Sequence, residues 1–132
     1  MFTSSFYQFK GAGRIGISRG TPRGVPAGFR KYAPLAPGDW FHDTTDHAEF
    51  RDRYFAQLDK LDPARVIADL HRLAGDCAVP TLLCFCQLGK PGAWCHRTMC
   101  AEWITDRTGL TCVELNPAAV RKIKKAEQLA LI

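Results

Sequence analysis

Pro80 is followed by a continuous apolar run, Thr81-Leu82-Leu83-Cys84-Phe85, with a segment of helical period on either side. A strand without polar alternation has no face to give to water. It needs cover on both faces, as a central strand of a parallel sheet has. Upstream, Phe50, Tyr54, Leu58 and Leu61 recur at helical spacing and predict an amphipathic helix over residues 46–60. Asp62-Pro63 reads as a cap with proline in the first turn of a second helix. Val66, Ile67, Leu70 and Leu73 form its buried stripe, and Gly75 ends it. Downstream, Cys95 opens a helix with Met99, Trp103 and Ile104 inward, ending near Gly109. Residues 111–115 read as a further strand, and Asn116-Pro117 caps a last helix with Val120 and Ile123 inward. Ahead of these, Ile15-Gly16-Ile17-Ser18 reads as the first core strand and Phe6-Tyr7-Gln8-Phe9 as an edge strand. The alternation predicts an α/β fold: a mostly parallel sheet flanked by helices, a Rossmann-like three-layer sandwich forming a single domain over residues 1–132.

Between Arg19 and Asp43 stand Gly20, Pro22, Gly24, Pro26, Gly28, Pro34, Pro37 and Gly38, a density of breakers that excludes regular helix or long strand. A long irregular loop after the first core strand is therefore expected, and loops of this length are usually functional. The net charge of +5 belongs to this part of the chain. Residues 1–42 hold Lys10, Arg14, Arg19, Arg23, Arg30 and Lys31 against Asp39 alone, while the remainder is balanced. Such a region suits either an anion-binding face or a solvated, solubilising one. The composition, 46% hydrophobic and 23% charged, is that of a folded globular domain. No apolar run approaches the roughly 20 residues of a membrane helix, so no membrane partner is expected. The first residues lack a basic start and a long apolar stretch, so no secretory signal is expected. Four of the six cysteines crowd into residues 84–100. Without an export signal, that clustering points to reduced thiols and a cytoplasmic protein rather than a disulfide framework.

Cys95, His96 and Arg97 fall together where a loop meets a helix. The unpaired N–H groups and dipole of a helix start favour negative charge, either a thiolate or a bound anion. Cys95 is the expected nucleophile or orienting thiol, His96 the acid/base and Arg97 a substrate-binding cation. The cysteine phosphatase signature is excluded, because it needs arginine six positions after the cysteine and Ala101 stands there. Cys84 and Cys86 end the preceding strand and share a face, since side chains two apart in a strand do. Cys84 joins the catalytic candidates. With Cys86, Cys95 and His96 it makes a zinc-like donor set, but Cys-x-Cys on a strand is not the usual knuckle and no metal is expected. A Cys84–Cys95 redox pair stays open beside that. Cys77, Cys100 and Cys112 read as packed core thiols. Arg19, Thr21 and Arg23, beyond the first core strand, are the other substrate-binding candidates. In parallel sheets ligands sit past the carboxyl ends of strands, and the loops after Ser18 and Phe85 are both expected there.

Together these stretches resemble the bacterial and phage family named domain of unknown function 488. They are Ile17-Ser18-Arg19-Gly20-Thr21-Pro22-Arg23, Lys31-Tyr32-Ala33-Pro34-Leu35-Ala36-Pro37, Phe50-Arg51-Asp52-Arg53-Tyr54, Leu82-Leu83-Cys84 and Cys95-His96-Arg97. The resemblance runs from about Phe2 to Leu115. It implies an α/β sandwich with its site at the Cys-His-Arg turn, and no settled activity. Relatives tend to carry an acid where Cys86 stands and a shorter loop before Cys95. A catalytic base or metal ligand at that place would be missing here.

Three functions are consistent with these residues. The first is an enzyme or binder of a small anionic, nucleotide- or nucleoside-like ligand at the Cys-His-Arg pocket. The second is a nucleic-acid-binding or accessory module that uses the basic N-terminal loop with Phe29, Tyr32, Trp40 and Phe41. The third is a thiol-redox or metal-binding protein. The residues name no cofactor, reaction or oligomeric state.

Overall fold

The computed structural model describes residues 1–20, 23–25, 28–44, 46–75, 78–85 and 94–115. Its centre is a five-stranded sheet in the order β3-β2-β4-β1-β5. The strands are β1 (Phe2–Ser5), β2 (Arg14–Gly16), β3 (Arg30–Lys31), β4 (Thr81–Cys84) and β5 (Val113–Glu114). Every pairing is parallel. Among the described residues three α-helices accompany it: α1 (His47–Leu58), α2 (Pro63–Ala74) and α3 (His96–Thr108). The expected α/β fold is present. Among the described residues no helix is long and apolar enough to cross a membrane.

The helix boundaries follow the local chemistry. Asp46 and Asp62 cap α1 and α2, their carboxylates accepting from the N–H of Glu49 and of Ala64. Gly75 and Gly109 end α2 and α3 at φ of 91° and 75°, a region that glycine enters without a Cβ penalty. The apolar run at 81–84 is buried along its whole length, as a central strand must be. Ile15, Ile17 and Leu82 share one core cluster with Phe50, Tyr54 and Leu58 of α1, Val66 and Leu70 of α2, and Met99, Trp103 and Ile104 of α3. The last helix, with Val120 and Ile123, lies outside the described residues, and so does Cys77.

Two expectations need correction. Phe6–Phe9 is not an edge strand. Residues 6–8 turn, and the strand is the polar segment before them, placed between β4 and β5. Its Thr3, Ser4 and Ser5 are all buried. Their hydroxyls find partners: Thr3 donates to Glu114, Ser4 to the Leu115 carbonyl, and Ser5 accepts from the Gln8 N–H. Polar residues enter a sheet centre at little cost when each is hydrogen-bonded, so hydrophobic patterning had no signal to offer. The segment 19–43 is also less irregular than its breakers suggest. It adds β3 at the sheet edge and two short 3-10 turns, Ala33–Leu35 and Asp39–Asp43.

Tyr32 ties that segment to α2. Its hydroxyl donates to Asp69 at 2.8 Å. Burial, followed by this bond, pushes the phenol up to about 12, and the same bond holds the Asp69 carboxyl below its ordinary value. The two shifts act at opposite ends of the pH scale. The Asp69 contribution is complete above the ordinary carboxylate range and is lost as pH falls through its lowered pKa. The Tyr32 contribution is complete below about 10 and is lost as pH rises through about 12. Tyr32→Phe is expected to cost about 1–2 kcal/mol at pH 7. It should also flatten both the acid and the alkaline limbs of stability, read from urea midpoints across pH. A variant with unchanged midpoint and limbs would show that the bond contributes nothing.

Candidate functional site

β4 lies between β2 and β1, so the chain leaving β2 and the chain leaving β4 emerge side by side at the carboxyl ends of the strands. This is the position where open parallel sheets bind ligands. A cavity of about 320 Å³ opens there, lined by Ser18, Arg19, Gly20, Pro37, Phe41, Cys84, Phe85 and His96. Two segments far apart in sequence, the one after β2 and the thiol-bearing one after β4, thus meet at one rim. Arg19 is held in place by two of its donors, one to the Pro37 carbonyl at 2.9 Å and one to Asp39 at 3.0 Å. A guanidinium has five N–H donors, which leaves capacity for a ligand. Arg23 is exposed and is not among the lining residues, and Thr21 lies outside the described residues.

The first turn of α3 presses against the strand ends. Cys95 is its N-cap, with φ −153° and ψ 152°, and its side chain makes no capping bond. The sulfur is thereby left to other contacts, 2.8 Å from Cys84 Sγ and 3.6 Å from His96 Nδ1. His96 Nε2 lies 2.7 Å from the Ile17 carbonyl oxygen. A carbonyl only accepts, so Nε2 carries the proton and, in the neutral ring, Nδ1 is the basic nitrogen. That nitrogen faces the thiol pair. The Tyr54 ring stands edge-on to the imidazole at 5.7 Å. Burial, and after it the neighbouring thiols, raise the Tyr54 phenol well above its ordinary value, so its hydroxyl stays protonated and donates to the Leu35 carbonyl.

Arg97 takes a different place from the one expected. It is fully buried and is not among the residues lining the cavity. Its guanidinium spans from β4 to β5. Nη1 donates to Cys84 Sγ at 3.0 Å, while Nε and Nη2 donate to the two oxygens of Glu114 at 2.8 and 3.1 Å. Burial works against its charge, but the bonds to Glu114 and Cys84 outweigh burial and raise its pKa above the ordinary value. Arg97 is a permanent cation whose Nη1 donates to the Cys84 sulfur at 3.0 Å. It reaches Cys84 and Glu114.

The cavity also reorders the thiols. Both thiols are buried, and of the two only Cys84 is among the residues that line it. Cys84 and His96 thus border the cavity, and Cys95 lies 2.8 Å from the Cys84 sulfur. Cys86 lies outside the described residues. Glu114 is the partner of Arg97 that sequence reasoning missed. It sits in a short strand that read as structural, and only the sheet order brings it opposite Arg97. The aromatic residues of the basic loop are mostly used inside the protein. Phe29 packs on Phe6, Trp40 on Phe50 and Tyr54, and Tyr32 is buried, while Phe41 stays exposed at the cavity.

The sequence pattern of DUF488-N3a, described as the active DUF488-N3 subclade, matches residues 6–108. The chain belongs to the DUF488 family. Within this DUF488 chain the match takes in Arg19, Cys84, Cys95, His96 and Arg97, and stops short of Glu114. Comparison with curated proteins and with solved structures finds no match.

Proposed function

We propose that this DUF488 protein is a thiol-dependent enzyme acting on a small ligand that carries a planar, nucleobase-like ring and a negative charge. One observation carries the reading: Cys84, supported by the buried Arg97 cation, shares a cavity of about 320 Å³ with His96 and Arg19. Cys84 is the nucleophile in its thiolate form. His96, with its tautomer set by the Ile17 carbonyl, exchanges the proton at Nδ1. Arg19 takes the anionic group through its remaining donors. Phe41 and Phe85, both lining the cavity, offer apolar surface to a flat ring.

The test is a thermal-shift panel on reduced protein, made of nucleobases, nucleosides, nucleoside monophosphates and inorganic phosphate. A member with both a ring and a charge is expected to raise Tm. Arg19→Ala is expected to weaken that ligand about tenfold through loss of one charge-assisted contact. A panel without any shift, or a shift that survives both Arg19→Ala and Cys84→Ser, would remove the proposal.

A second reading has an observation of its own. The donor atoms of Cys84, Cys95 and His96 all lie within 4.8 Å of one another and could hold a metal ion. The sulfurs argue against it. With Zn–S bonds of about 2.3 Å, two thiolates on a tetrahedral zinc stand about 3.8 Å apart, against 2.8 Å here. Elemental analysis of protein purified without chelator separates the two readings. A stoichiometric metal lost on Cys95→Ser would favour the metal site over the nucleophile.

A further inference from the structure

We propose that Cys84 and Cys95 form a reversible oxidation site, at which a peroxide converts the thiol pair to a disulfide and shuts off the cavity's nucleophile. The inference rests on the reading of Cys84 as the reactive thiol and adds a modification and its reagent class to it.

Four observations point the same way. The two sulfurs are 2.8 Å apart although the residues are separated by 11 positions in the chain. A disulfide needs about 2.05 Å, so bond formation calls for a movement of under about 1 Å. Cys84 lines the cavity wall with only 1% of its surface exposed, which restricts the reagent to one as small as hydrogen peroxide. Arg97 stands 3.0 Å from Cys84 Sγ and favours the thiolate, the form that attacks peroxides. His96 Nδ1 is 3.6 Å from Cys95 Sγ and is placed to take the Cys95 proton.

The other two described thiols lack this arrangement. Burial pushes Cys100 up to about 12 and Cys112 up to about 11, which keeps both as thiols at neutral pH. Thiols that stay protonated oxidise slowly, so oxidation of these four is directed to the pair.

The chemistry balances in two steps. The Cys84 thiolate attacks one peroxide oxygen, and the O–O bond breaks. Cys84 becomes a sulfenic acid, and the departing hydroxide takes a proton to become water. Cys95 then passes its proton to His96 Nδ1, and its sulfur attacks the Cys84 sulfur. The S–O bond breaks, and the leaving hydroxide collects the proton from His96 as a second water. The pair is oxidised by two electrons and the peroxide is reduced to two waters. A dithiol reductant reverses the change by thiol–disulfide exchange.

The experiment treats the full chain with hydrogen peroxide, blocks remaining thiols with iodoacetamide and maps peptides without reduction. Cleavage after Phe85 and Trp94 places Cys84 and Cys95 on different peptides. A link between the peptide ending at Phe85 and the peptide starting at Cys95 is expected. Labelling of Cys84 should fall at least about tenfold and recover with dithiothreitol. Cys100→Ser should leave the link in place. In Cys95→Ser, with no thiol to resolve it, Cys84 should proceed to the sulfinic acid. A link to a different cysteine, or a wild-type Cys84 carried to sulfinic acid while Cys95 still alkylates, would overturn the inference. The two ideas can fail separately. Ligand shifts in reduced protein without the mapped link would sink the oxidation site alone. The link without any ligand shift would sink the enzyme reading alone.

Discussion

Cys84→Ser is expected to abolish the fast iodoacetamide alkylation that maps to position 84 in reduced protein and to leave the slow reaction of Cys100 and Cys112 unchanged. The wild-type chain holds Cys84 on the cavity wall with the Arg97 guanidinium 3.0 Å from its sulfur. A thiolate alkylates and a thiol does not, so a stabilised anion shows as a rate. Cys84 should react at least about tenfold faster than Cys100 or Cys112 at pH 7, because burial raises those two to about 12 and about 11. With any substrate found by the ligand panel, the same variant should lose turnover on the order of 10³-fold, as loss of a nucleophile does. Serine is smaller and more polar than cysteine but can still accept from Arg97, so Tm should fall by only a few degrees. Two results would count against Cys84 as nucleophile: an unaltered fast phase, or turnover reduced less than about tenfold. A fast phase that moved to Cys95 in the wild type would reassign the role to the residue that the sequence alone favoured.

Glu114→Gln carries the larger structural consequence. Arg97 is wholly buried, and Glu114 supplies two of its charge-assisted bonds while also accepting from Thr3. Removing one partner of a buried pair typically costs about 3–5 kcal/mol, since the other charge is left in low dielectric. A third of the Glu114 side chain meets water, and that screening reduces the expected loss to about 2–3 kcal/mol. For a domain whose whole stability is of order 5–15 kcal/mol, this is a large fraction. The control is Glu102→Gln, which breaks the Arg51–Glu102 pair where both side chains are more than two-fifths exposed; it should cost less than about 1 kcal/mol. Urea midpoints of the two variants decide it, and equal losses would mean that the Arg97 pair behaves like a surface contact. A functional readout accompanies the stability one. A guanidinium no longer clamped by Glu114 loses its fixed position on Cys84, so iodoacetamide labelling of Cys84 should slow in Glu114→Gln and remain unchanged in Glu102→Gln.

Much of the architecture was legible because it follows from short-range chemistry. The cap at Asp62, the stops at Gly75 and Gly109 and the apolar strand at 81–84 all stand where the residues indicate. The central strand β1 was not legible. Its buried residues are Thr3, Ser4 and Ser5, which belong inside only because Glu114, Leu115 and Gln8 supply their hydrogen bonds. At the site, the cluster of Cys84, Cys95 and His96 was legible from spacing, as a strand end followed by a helix start. The division of labour within it was not. Arg97 read as a cation for a substrate, and the fold places it between Cys84 and Glu114.

Read alone, the chain already determined an α/β fold and the neighbourhood of its Cys-His-Arg turn. Helix caps, apolar periodicity and strand length are properties of residues a few positions apart, and sequence records those directly. Only the tertiary structure decided that Cys84 borders the cavity with Cys95 beside it, that Arg97 reaches across to Glu114, and that Arg19 joins them from 65 positions earlier in the chain than Cys84. Those relations depend on strand order. β4 lies between β2 and β1, with β5 beyond, and strand order is set by the packing of the whole sheet rather than by any window of residues.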